Sequence, residues 1–85
     1  MNTYEKAIKK YGVTTQTIVA IEELSELIQA LTKSLRGFYN EENIAEEMAD
    51  VKIMLEQLEL MHDNKEAIQD YVKAKLKRLE DNIRE

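Results

Sequence analysis

The sequence predicts an all-α fold: an antiparallel helical bundle of about four helices, one domain over residues 1–85, assembling as a homo-oligomer. Three observations predict it. There is no proline and there are only two glycines, so little interrupts a helix. Apolar residues recur at three- and four-residue spacing along three long stretches. A chain this short buries only about 60–65% of its unfolded surface when it folds alone, which favours self-association.

The first element is a short amphipathic helix over Tyr4–Tyr11, closed by Gly12 as its C-cap. Thr14 or Thr15 is then expected as the N-cap of a long helix reaching about Leu35. Its stripe is Ile21, Leu24, Ile28, Leu31 and Leu35. Arg36 to Asn40, with the second glycine, reads as a loop. The third helix runs from about Glu41 to Met61, with Glu41 and Glu42 beside its positive dipole end. Ile44, Met48, Val51, Leu55 and Leu58 form its stripe. His62-Asp63-Asn64 breaks the pattern, and a fourth helix spans about Glu66 to Arg84 with Ile68, Val72, Leu76, Leu79 and Ile83. Long stripes with short connections make an antiparallel bundle.

Charge narrows the function. Seventeen acids against twelve bases leave −5, which disfavours a nucleic-acid partner or recruitment by anionic lipid. The absence of cysteine removes disulfides, thiolate metal sites and a cysteine nucleophile, and one histidine cannot build a multi-histidine zinc site. No apolar run approaches the roughly 20 residues of a membrane span. Met1 to Lys10 lacks the apolar core of a signal peptide, so a cytoplasmic address is expected.

The informative acids are those on the wrong face. With Ile44 at zero and ~100° per residue, the main stripe of the third helix lies within about 40° of zero. Ile53, Met54, Leu60 and Met61 occupy a second apolar sector at roughly 160–280°. Glu47 falls near ~300° and Asp50 near ~240°, inside that wide apolar arc. Glu56 and Glu59 share the spacing but fall at ~120° and ~60°, on the polar side. On the second helix, Glu23 and Glu26 share a secondary face with Val19, Leu27 and Ala30, away from the main stripe. If the two faces meet, four carboxylates converge. They must then protonate, bind a cation or pair with lysines across the bundle. An all-oxygen set suits Mg²⁺, with Mn²⁺ as a substitute.

The fourth helix carries a ridge of Tyr71, Lys75, Arg78 and Asn82 along the border of its stripe. Lys75 and Arg78 beside a metal site would hold phosphate oxygens; otherwise they lie over the core edge and pair with surface acids. Phe38 and Tyr39 either stack on a base or seal the bundle end. His62 reads as a cap or packing residue.

Glu22-Glu23-x-x-Glu26 followed by Glu47-x-x-Asp50 resembles the paired acidic motif of the MazG-like all-α nucleoside triphosphate pyrophosphohydrolases. Tyr11-Gly12, Gln16, Asn43-Ile44 and the basic run Lys75 to Leu79 also resemble that family, and the likeness extends from about Tyr4 to Arg84. The resemblance implies a homodimer or homotetramer and Mg²⁺ held by Glu23, Glu26, Glu47 and Asp50. It implies hydrolysis of (deoxy)nucleoside triphosphates between the α and β phosphates, clearing nucleotides from the pool. Glu22 matches the first motif glutamate and would orient a lysine or a water. Gln16, Tyr71, Lys75, Arg78 and Asn82 are the expected substrate contacts. A related branch acts on phosphoribosyl-ATP and is expected to place a histidine soon after the motif aspartate. Here Asp50 is followed by Val-Lys-Ile-Met-Leu, which disfavours that branch. The competing reading is a non-catalytic helical interaction or regulatory module, which has no reason to turn Glu47 and Asp50 into an apolar arc.

Overall fold

A computed structural model describes residues 1–85 as four helices and no strand: α1 (Thr3–Tyr11), α2 (Val13–Leu35), α3 (Glu41–His62) and α4 (Lys65–Ile83). Local chemistry sets most of the ends. Asn2 and Glu5 cap α1 reciprocally: the Asn2 side chain accepts from the Glu5 N–H at 2.8 Å, and Glu5 Oε1 accepts from the Asn2 N–H at 2.9 Å. Gly12 sits at φ +92°, where a β-carbon is disfavoured. Its N–H closes α1 on the Ile8 carbonyl, and its own carbonyl accepts the first bond of α2 from Gln16. One glycine therefore ends one helix and starts the next. The N-cap expected at Thr14 or Thr15 is corrected accordingly: α2 begins at Val13 and both threonines lie inside it. Asp63, in the left-handed region at φ 49°, ends α3.

α2 and α3 form the packed unit, and α1 lies against both. Their partners run from Gln16 with Gln57, through the carboxylates of both helices, to the Ala30 carbonyl with the Asn40 side chain at 2.9 Å. The face α2 turns inward is not its main stripe, and α3 buries only Val51 of its own. Gln16, Ala20 and Ala30 are the buried residues of α2, and Val51, Met54 and Gln57 those of α3. Small alanines let the helix backbones approach closely. Between them Gln16 donates to Gln57 at 2.8 Å, and Gln57 reaches Met54 Sδ at 3.6 Å.

The main stripe expected to form the core of α2 lies outside. Ile21, Leu24, Ile28, Leu31 and Leu35 are 41–91% exposed. Measured from Gln16, the packed face is centred near zero and this stripe near ~100°. On α3 the packed face likewise turns toward Glu47 and Met54, leaving Met48 and Leu55 exposed. No residue of α4 is buried. The radius of gyration is 15.9 Å, against about 12 Å for a compact chain of this length.

Candidate metal centre

The secondary faces do meet. Glu23 and Glu26 on α2 and Glu47 and Asp50 on α3 each offer a carboxylate oxygen, and these four oxygens lie within 4.8 Å of one another. Helical periodicity explains the arrangement. Each pair is spaced i, i+3, so both acids project from one side of their helix, and α2 turns that side toward α3. Glu47 sits near the centre of the packed face of α3, in line with Met54 and Met61. Glu23, Glu47 and Asp50 are half-buried and Glu26 is exposed, so the cluster opens to solvent on the Glu26 side.

The electrostatics of the cluster are unbalanced. Burial pushes the Glu23 carboxyl up to about 7, helped by the charges of Glu26, Asp50 and Glu47 and by a hydrogen bond shared with Asp50. Burial also raises the Glu47 carboxyl, followed by a hydrogen bond with Glu26 and the charges of Glu26, Asp50 and Glu46. Glu23 Oε2 and Glu47 Oε2 are inaccessible to solvent and have no hydrogen-bond partner. No lysine or arginine answers them. Both ion pairs of the chain lie along α4 and its C-cap, Lys77 with Asp81 at 3.8 Å and Arg84 with Glu80 at 3.4 Å. Lysine pairing across the bundle, the bland expectation, is therefore absent. Four oxygen donors, two of them with an orphaned buried atom, fit a hard divalent cation.

The remaining expected site residues fall elsewhere. Glu22 is exposed and outside the four-oxygen cluster. Gln16 is 6% exposed and bonded to Gln57, so its side chain is engaged in the α2–α3 interface and not offered to a ligand. Tyr71, Lys75, Arg78 and Asn82 lie on α4, exposed and away from any packed surface of the chain. A cleft of about 360 Å³ at the α3–α4 corner, lined by Leu55, Leu58, His62 and Ile68 among others, does not include the carboxylates. Gln57 is the feature that sequence reasoning missed. Its position three residues after Met54 on the packed face was the available signal. Comparison with protein-family models, curated proteins and solved structures found no match to this chain.

Proposed function

We propose that this protein is a Mg²⁺-dependent nucleoside triphosphate pyrophosphohydrolase of the MazG-like kind, cleaving (deoxy)nucleoside triphosphates to the monophosphate and pyrophosphate. The observation that carries the reading is the four-carboxylate cluster with its two orphaned oxygens. With lysine pairing absent, the acids either hold protons or bind a cation, and the cation is the alternative that gives the cluster a function.

In this reading α2 and α3 are an antiparallel pair within a homo-oligomeric bundle acting in the cytoplasm. Glu23, Glu26, Glu47 and Asp50 hold the cation. A Mg²⁺ held there would supply Lewis-acid polarisation of a phosphoryl oxygen and a lowered pKa for the attacking water. The chain's own residues do the rest. The acids keep a triphosphate from approaching unless its charge is neutralised, which makes the metal-nucleotide complex the substrate. Lys75 and Arg78 stabilise the negative charge that builds on the leaving pyrophosphate. Tyr71 and Asn82 flank them on the same ridge. Glu22 orients a lysine or a water from outside the cluster. One water is consumed across the α–β anhydride, so no protein nucleophile is needed.

A second reading, a non-catalytic interaction module, draws on the exposed apolar stripes of α2 and α4. The deciding experiment measures pyrophosphate release from a panel of ribo- and deoxyribonucleoside triphosphates, with Mg²⁺ and with chelator. Metal-dependent release of pyrophosphate with monophosphate supports the enzyme. No release from any of them, together with no Mg²⁺ binding, leaves the module.

A further inference from the structure

The partners across the α2–α3 interface keep a single register. Gln16 donates to Gln57 at 2.8 Å. Seven residues further along α2 is Glu23, seven residues back along α3 is Asp50, and these two share a hydrogen bond. Three more residues in each direction reach Glu26 and Glu47, which share another. Four more reach Ala30 and Asn43. There Asn40, one turn before Asn43, donates its side-chain amide to the Ala30 carbonyl at 2.9 Å. Two polar links therefore bracket the carboxylates, one on each side.

Asn40 makes its link in place of a local one. It stands at the N-cap of α3, where an asparagine oxygen ordinarily accepts from an N–H of the first turn. Here it accepts none. Its Oδ1 is inaccessible to solvent and unpartnered, while Nδ2 reaches the Ala30 carbonyl and, at 3.3 Å, Asn43 Oδ1. Only the NH₂ end of the amide can donate to a carbonyl, so α2 sets its orientation and the first turn of α3 does not.

The rest of the interface holds register weakly. Ala20 and Ala30 are smooth, and no large side chain is fully buried. A slip of one residue moves a side chain ~1.5 Å along the axis and turns it by ~100°. A metal centre tolerates about 0.5 Å and 10–20°. Fixing the register of packed helices is the best-attested use of buried polar groups.

We infer that Asn40 is a positioning residue for the cation: its amide, held on the Ala30 carbonyl, pins α2 against α3 in the register that lets all four carboxylates reach one ion. Asn40 touches neither ion nor substrate. Gln16 and Gln57 pin the opposite side. The inference rests on the proposed function for the cation alone and not for the reaction.

The test is Mn²⁺ binding to the full chain without nucleotide. Electron paramagnetic resonance reads the affinity, and water-proton relaxation reads the number of waters on the bound ion. Asn40→Ala should lower affinity by about tenfold, the lower end of what loss of a supporting group costs. It should also raise the number of bound waters, because solvent replaces a carboxylate that has moved. Asn40→Asp separates register from capping. It caps a helix as well as asparagine does and adds an acid at the positive end of α3, but it offers no donor to Ala30. It should fall with Asn40→Ala, and wild-type affinity and hydration in Asn40→Asp would overturn the inference. Asn2→Ala removes the side-chain cap of α1 and should leave both readouts unchanged. An equal loss there would mean a general loosening of the fold and would also overturn it. One readout needs no variant: the Asn40 side-chain amide should exchange its hydrogens slowly in the metal-free wild type, and exchange at the rate of a free amide overturns the inference. A wild type that binds Mn²⁺ no better than either Asn40 variant overturns the inference alone. A wild type that binds no Mn²⁺ removes the proposed function and this inference together.

Discussion

Glu23 and Glu47 bring carboxylate oxygens within 4.8 Å of each other across the α2–α3 interface, and each keeps one buried oxygen that no donor reaches. Two like charges in that position oppose the fold that holds them. The pair is therefore a source of strain in the metal-free protein and a source of stability when a cation binds.

The first expected consequence is a dependence of stability on pH. Glu23 has its folded-state value raised to about 7 from an ordinary 4.5, so the folded chain binds the proton more tightly than the unfolded chain does. Its contribution is fully present below about pH 4.5 and is lost as pH rises through about 7. Glu47 shifts in the same direction. The Tm of the metal-free protein should fall between pH 5 and pH 8. A Tm that rises steadily over that range would contradict the assigned shifts.

Mg²⁺ should reverse the loss. At pH 8 a cation present at a hundred times its Kd adds about 2.7 kcal/mol to the folded state. Differential scanning calorimetry with Mg²⁺ and with chelator measures this directly. Equal melting curves would argue against a preformed centre.

Glu47→Gln separates a ligand from a structural acid. Losing a metal ligand should cost at least the ~10–100-fold in metal affinity or activity that removal of a supporting group costs. The same change removes a buried charge, so the metal-free variant at pH 8 should melt no lower than wild type. A large fall in Tm would show that Glu47 is holding the fold through a partner. Glu22→Gln, at an exposed position outside the cluster, should leave Mg²⁺ affinity within a few-fold of wild type by calorimetric titration.

Gln16 and Gln57 should behave as a unit. Gln16→Ala leaves the Gln57 Oε1 without its donor in the interface, at a cost of about 1–3 kcal/mol. Gln16→Leu with Gln57→Leu removes both polar partners and should cost less than either single alanine change. Chemical denaturation of the three variants checks the order.

The sequence by itself determined the helices and much of the site. With no proline and two glycines, the breaks could fall at few places, and three of the four helices begin and end within a residue of where periodicity puts them. The i, i+3 acids of α2 and α3 were legible because period alone decides which side of a helix they share. Facing also separated Glu47 and Asp50 from Glu56, which the structure leaves exposed, but not from Glu59, which is half-buried as they are. The start of α2 was less legible, because Gly12 serves two helices and outcompetes two threonines that look like caps.

Only the tertiary structure decided which face of each helix is used within the chain. Periodicity identifies a stripe of large apolar residues but not what covers it. On α2 the chain turns inward the face with Gln16, Ala20, Glu23 and Ala30, where small side chains allow close approach to α3. The larger stripe of Ile21, Leu24, Ile28, Leu31 and Leu35 stays outside. A helix has two such faces when its apolar residues span a wide arc, and a chain of three long helices has too few partners to cover both. That shortage turns the carboxylates toward each other and leaves the apolar stripes of α2 and α4 uncovered.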